Sequence, residues 1–518
     1  MKIKARLKRT EEEHKTMKNE AKLLADVDVL VVGGGFPGIC AALAAARAGA
    51  RTLLVERNAV IGGQAAEIDT WGLDGFLDID GKLLIGGIPW EILQAAVAEG
   101  QSDPLFTRID YDLMDKQGIN AALEKADLKE YIPYSRPDSW MNAFNDQYVN
   151  PNAYRYVSLK LLDEAGVQVL YQMPVIDAVV EGRTLKGVVV QGENGLKYTI
   201  LARRIVDTSQ SATVSACAGN PFPHTKGYMG TLVRVGGIDI MRTLDFVQQQ
   251  ISQEDPDEIA AEDAAMRTAI AEGKRPPEPN WFLRPMIGKR ADVDEMRRLV
   301  QGGNPLFLHG FMKTLEKAIA QNPEYARIKR SNGEHVWLFY ERDGMGVYPT
   351  FGDGFETVDV GDPLNYSAAI SAARRLQWIY HRFFREYVPG FENAHLMDVY
   401  ANISKALFQS REPGSFTDYA LQEEDFAGRS ERDDILTYVR GHPHSGLNEK
   451  GWGVPLASLI VRGFDNLLVT GKPASRMIHY IATCAKVGEA AGAAAAVSAL
   501  ENTPLRETDP AKIREKIG

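Results

Sequence analysis

The sequence predicts an α/β protein in two units, one built on a buried parallel sheet and one of α+β character. Three observations carry that prediction. Residues 27–56 read as strand, glycine turn, helix, strand. Residues 167–201 read as a series of short strands joined by tight turns. Residues 465–500 read as a buried strand followed by an alanine-rich helix.

The first stretch opens with Val27–Val32, a short β-branched apolar run that suits a strand buried on both faces. Gly33-Gly34-Gly35-Phe36-Pro37-Gly38 follows, then a helix with Pro37 at its start and Gly49 as its C′ residue. Thr52–Val55 is a second buried strand, and it ends at Glu56. The G-x-G-x-x-G spacing has a mechanism. Gly33 permits the tight turn, Gly35 lets a pyrophosphate approach the backbone, and Gly38 lets helix and strand pack closely. Free N–H groups and the positive end of the helix then hold phosphate charge. Glu56 is placed to accept both hydroxyls of an adenosine ribose and to repel a 2′-phosphate, which favours FAD or NAD over NADP. Ile61-Gly62-Gly63-Gln64 comes next. Paired glycines let backbone lie against a flat ligand; an NAD domain has no such need at this point, so the balance moves to FAD. The unit is therefore expected to be Rossmann-like.

At 518 residues the chain is long enough for two domains, and its 45% hydrophobic and 25% charged composition is ordinary for a soluble protein. A net charge of −10 argues against nucleic acid or an anionic membrane as partner. Cys40, Cys217 and Cys484 are widely spaced and form no C-x-x-C pair, which excludes a disulfide framework or structural zinc and fits a reducing cytoplasm. Residues 1–25 are dense in Lys, Arg and Glu without an apolar core, so they form no secretory signal. They read as a solvated helix, with packing on a second copy of the chain in a homo-oligomer as the alternative. No apolar run is long enough to span a membrane.

Residues 66–150 read as a loop-rich insertion whose late aromatics, Tyr131, Tyr134, Trp140, Phe144 and Tyr148, line either a core or the substrate side. A helix over 152–165 closes at Gly166. The strands 175–180, 185–191 and 197–201 then form a β-meander that leads into Asp207-Thr208-Ser209; such a crossover is common in FAD domains. Val175, at its start, and Thr208, at its end, join the expected cofactor-binding set. Residues 216–445 show mixed order, with helices over 259–271 and 367–387, and are assigned to a substrate or cap domain. Residues 446–505 return to the nucleotide unit of 26–215, so that unit is discontinuous. Gly471 ends the last strand; Gly488, Ala490, Ala491 and Gly492 make the final helix slim, both for packing and for approach to a flavin whose reduced form its dipole would stabilise.

With these residues in place, the chain resembles the FAD-dependent oxidoreductases built on the glutathione-reductase type of FAD domain. Gly33–Gly38 with Glu56-Arg57, Ile61-Gly62-Gly63, Val206–Gln210, Arg411–Asp425 and Asn466–Gly471 with Gly488–Gly492 correspond to that family's motifs. Ser209-Gln210 departs from its Gly-Asp, Lys472 from its Arg, and His479 stands where an arginine is expected, with Arg476 as a substitute. The resemblance implies FAD as cofactor and a small-molecule substrate. It implies a hydride exchanged with flavin N5, or alternatively an NAD(P)H-using monooxygenase or an FAD-binding electron-transfer subunit. His479 and Tyr480 are the candidate catalytic residues, being expected to border the flavin ring, and Arg411 is a candidate anion clamp. His442-Pro443-His444 has no further ligands at a metal-binding spacing, so no metal site is expected.

Overall fold

The computed structural model describes residues 21–63, 73–77, 82–99, 109–126, 146–147, 150–222, 230–253, 255–271, 292–303, 306–332, 336–351, 358–359, 361–398, 416–426, 428, 430–439, 451–475, 478 and 480–518. Gln64, Arg411, Arg476, His479, the 442–444 histidine pair and the aromatics of 131–148 lie outside the described residues.

The first sheet is parallel at its centre. β1 (Lys22–Val32) pairs with β2 (Thr52–Val55) on one side, and β2 with β3 (Gln168–Leu170), all parallel. Between β1 and β2 runs α1 (Phe36–Arg47), closed by Gly49 at φ +101°. β1 begins five residues before the expected strand: Lys22 and Leu23 pair with Tyr198 and Thr199 across a bulge, and Leu23 and Leu24 are exposed there. This is an edge extension held by backbone bonds, and it has no apolar signature to read.

After β3 come β4 (Val175–Glu181), β5 (Thr184–Gln191) and β6 (Lys197–Asp207), an antiparallel meander. β6 differs from expectation in being one continuous strand. Residues 197–201 pair with β5, while 205–207 pair in parallel with a strand from the far end of the chain. No turn residue interrupts Leu201–Ile205, so the strand runs on while its neighbour changes.

The second sheet is antiparallel and was not visible in the sequence. It consists of β7 (Gly230–Gly236), β8 (Leu306–His309), β9 (Trp337–Tyr340), β10 (Gly346–Phe351) and β11 (His395–Asp398), in the order β8-β9-β10-β7-β11. Across it packs α2 (Pro363–Tyr387), capped by the Asp362 side chain, which accepts from Leu364 and Asn365 N–H. Val233, Val235, Tyr348, Tyr380, Phe383 and Phe384 share one buried core. The chain then returns to the first core: Phe416, Leu421, Phe426, Leu436 and Val439, grouped with the cap unit on sequence, are buried among the residues of the parallel sheet.

β12 (Leu467–Val469) completes that sheet beside β6. Asn466 fixes its entry, with its amide nitrogen donating to Leu185 O and Arg203 O and its oxygen accepting from Leu185 N–H. α3 (Ile481–Leu500) follows and crosses α1 at close range. A Cβ on Gly488 would stand 2.1 Å from Pro37 O, and one on Gly492 would stand 2.1 Å from Ala41 O. The packing half of the expectation for this slim helix is met here: the small residues let two buried helices touch backbone to backbone.

Candidate functional site

β2, β1, β6 and β12 end in register, with Val55 against Val32, Val32 against Asp207 and Val469 against Asp207. The chain therefore leaves the sheet at one carboxyl edge through Glu56, Gly33, Thr208 and Thr470. Such an edge is where open α/β sheets take their ligands.

Gly33 turns at φ +104° and donates its N–H to Val55 O at 2.8 Å. The Thr208 hydroxyl lies 2.7 Å from Gly33 O and 3.0 Å from Val32 O, so it braces the turn from beneath. Most glycines of this turn are required by the protein itself. A Cβ on Gly38 would stand 1.8 Å from Gly33 O, one on Gly34 would stand 2.9 Å from the Ile61 side chain, and one on Gly63 would stand 2.9 Å from Gly35 Cα. Gly35 is different. Its φ is −69°, which any residue adopts, and among the described residues a Cβ there would meet no atom closer than 3.7 Å. α1 also begins without a side-chain cap or an acidic residue in its first turn, so its leading N–H groups remain for a ligand.

Glu56 is 7% exposed; Oε2 accepts from Gly34 N–H at 2.6 Å and Oε1 from Asn58 N–H at 2.8 Å. Each oxygen keeps a lone pair for a further donor. Gly62 donates to Gly34 O and forms a bridge with Gly35, which lays the Gly62-Gly63 backbone along the first turn. Gln172 and Met173, just ahead of Val175 at the start of β4, donate to Asn58 O and Glu56 O. Arg57 is exposed, and its charge reaches the half-buried Tyr366 hydroxyl in the first turn of α2. Phe36 turns into the core, edge-on to Tyr154 at 5.1 Å between ring centres. Its place in the motif is a packing one, and Pro37 carries its carbonyl to Gly488.

At the other end, Gly471 turns at φ +66° and Lys472 follows it; burial pushes the Lys472 amine down to about 7, with Cys484 acting in the opposite direction. Tyr480 is the N-cap residue of α3. A Cβ on Gly75 would stand 2.9 Å from Tyr480 Cβ, so residue 75 lies against the ring. Of the three candidate catalytic residues, Tyr480 alone lies within the described residues, where it packs against Gly75.

Two features escaped the sequence reading. Asp207, fully buried, accepts from Ser209 N–H, Ser209 hydroxyl and Val214 N–H. Ser209, which stands in place of the family glycine, thus bonds back to the preceding acid. Burial pushes the Asp207 carboxyl up to about 6 from 3.8, against the lowering effect of those bonds. The fold therefore binds this proton more tightly than the unfolded chain. That contribution to stability is complete below about pH 3.8 and is lost as pH rises through about 6. Urea unfolding at pH 4 and pH 7 should show the parent losing on the order of 3 kcal/mol relative to Asp207→Asn over that interval; equal pH dependence in both proteins would contradict it. The second feature is a buried ion pair in α3, Lys486 with Glu489 at 2.9 Å. Its signal was there to read: two charges three residues apart in an otherwise apolar helix.

Among the described residues, no helix is long and apolar enough to cross a membrane, and no group of three or more His, Cys, Asp or Glu is arranged to hold a metal ion. A family model described as FAD dependent oxidoreductase matches residues 28–517. All-trans-retinol 13,14-reductases of Macaca fascicularis and Homo sapiens are 30% and 29% identical over 145 and 144 residues. Those matches cover 27% of this chain, and 23% and 22% of the relatives' lengths. Among solved structures, GidA of Aquifex aeolicus is similar over 93% of this chain and 64% of its own, at 16% identity and a TM-score of 0.41. A geranylgeranyl bacteriochlorophyll reductase-like protein of Thermoplasma acidophilum covers 95% and 82%, at 13% identity and a TM-score of 0.39.

Proposed function

Because the chain belongs to the family of FAD-dependent oxidoreductases, we propose that its FAD lies across the carboxyl edge of the parallel sheet and exchanges a hydride with a small organic substrate. The protein is an oxidoreductase and FAD is its cofactor. The observation that carries the placement is Gly35, the turn glycine that no contact among the described residues requires.

In this reading the Gly33–Gly38 turn and the N-terminus of α1 hold the pyrophosphate through backbone N–H groups. Glu56 takes the ribose hydroxyls with the lone pairs left by Gly34 and Asn58, and Val175 and Arg57 flank the adenosine. Gly62 and Gly63 lie along the ribitol, with Gln64 beyond them. Thr208 acts through the turn, holding Gly33 in place. Gly471 and the N-terminus of α3 border the flavin ring, where the helix dipole favours negative charge. When bound, FAD supplies the electron-pair acceptor; orientation, exclusion of water and proton handling fall to the chain. Tyr480 and His479 are the residues we assign to the ring's border, and Arg411 to the substrate. We take the chain as two units. The nucleotide unit comprises residues 26–215 and 446–505 joined by Phe416–Val439, and the substrate unit is built on the antiparallel sheet. Three free cysteines fit a cytoplasmic setting.

The test is a visible spectrum of the purified protein followed by anaerobic reduction with NADH, NADPH and a panel of small organic donors. Bleaching by an organic donor alone is the expected result. Bleaching by NADH or NADPH alone would replace the reading with a monooxygenase or reductase, and bleaching only by a partner protein with an electron-transfer subunit.

A further inference from the structure

The antiparallel sheet buries its two faces differently. Val233, Val235, Leu338, Tyr340 and Tyr348 point into the core beneath α2. By the two-residue period of a strand, Leu232, Arg234, Phe339, Glu341 and Val347 point the other way. Leu232, Phe339, Glu341 and Val347 are buried as well and Arg234 is half-buried, yet none belongs to either of the two large apolar cores. In the middle of this second face stands an ion pair. Arg234 Nη2 donates to Glu341 Oε1 at 2.7 Å, with the side chains 14% and 0% exposed. The other carboxylate oxygen, Glu341 Oε2, is buried and accepts no hydrogen bond among the described residues.

A buried carboxylate oxygen without a donor is costly, and an apolar pair of similar volume in the same place is commonly as stable or more so. Stability does not explain its presence. We propose that Glu341 Oε2 receives a hydroxyl or N–H of the substrate, with Arg234 fixing the carboxylate from its other oxygen and Leu232, Phe339 and Val347 flanking the ligand's apolar body. This rests on the reading of the antiparallel sheet as the substrate unit, and it names the class: a small, mostly apolar molecule with one hydrogen-bond donor.

The experiment uses the holoprotein and two probes that differ only in the hydroxyl hydrogen, benzyl alcohol and its methylated form benzyl methyl ether, with dissociation constants from calorimetric titration. The parent should prefer the alcohol roughly tenfold or more, since the ether leaves the oxygen unpaired. Glu341→Gln keeps the shape but turns an amide donor toward the ligand, and should bring the ratio to about one. Arg234→Met/Glu341→Leu should do the same while unfolding cooperatively, which separates loss of recognition from loss of fold. A parent without preference, or a preference retained in Glu341→Gln, would reduce the pair to a structural one and overturn the proposal. Selectivity in a protein that binds no FAD would leave this inference standing and remove the function proposed above; FAD binding without selectivity would do the reverse.

Discussion

Gly38→Ala should yield a protein that purifies without FAD and unfolds at lower temperature. The added Cβ would stand 1.8 Å from Gly33 O and 2.7 Å from the Thr208 hydroxyl. No side chain is free to move aside, because the nearest atom is backbone in the turn itself. The turn must open, which detaches Gly33 from Thr208 and lifts the start of α1 away from the sheet edge. Overpacking of this kind costs about 3 kcal/mol or more. Gly182→Ala is the control. It lies at the β4–β5 turn with φ +61° and open space around it, so backbone strain of about 1 kcal/mol is its only expected cost, and FAD should remain bound. Thermal unfolding with the flavin absorbance of each purified variant reads both effects. Equal FAD content in Gly38→Ala and the parent would show that the turn is not the cofactor's seat.

Glu489→Ala should be the most destabilising single change in α3. Glu489 Oε1 accepts from Ile88 N–H at 3.2 Å and from Gly518 N–H at 3.0 Å, while Oε2 pairs with Lys486. Lys486 also donates to Gly86 O and Gly518 O. A Cβ on Gly87 would fall within 2.8 Å of both charged groups, so the 86–87 loop is pressed directly against the pair. Removing the carboxylate leaves an ammonium 4% exposed without its paired side chain, and takes the acceptor from two amides. A loss of about 3–5 kcal/mol follows, read by urea unfolding. Lys486→Met/Glu489→Leu removes both charges together and should recover most of it. A double variant as unstable as the single one would mean that the bonds to Ile88 and Gly518, and not the stranded charge, carry the effect.

What could be read beforehand follows from where the determinants lie along the chain. The β1–α1–β2 unit was legible because its glycines, strands and acid all fall within thirty residues and each has a local cause. The meander was legible from turns at Gly182 and Gly195, both at positive φ. The antiparallel sheet was not, because its partners are far apart: Arg234 pairs with Val347, and Gly236 with His395. Strands of four to seven residues carry little period-two signal, and nothing in their sequence names a partner more than a hundred residues away. Thr208 shows a different limit. Its motif position was legible, but its hydroxyl turns under the turn toward Gly33 O, a distinction that needs three strands in register. Glycine at 488 was read for its smallness, and the partner that requires it is the Pro37 carbonyl.

The central claim is that a ligand's phosphates lie against Gly35. Gly35→Ala tests it directly, because the fold has room for the new methyl group and the cofactor does not. The apoprotein should keep its unfolding temperature within about 1 °C, a shift worth about 1 kcal/mol for a chain of this size. Its dissociation constant for FAD, followed by quenching of flavin fluorescence, should rise roughly a hundredfold, equivalent to about 2.7 kcal/mol of lost binding. Unchanged FAD affinity in a stably folded Gly35→Ala protein would contradict the placement of the cofactor on this turn.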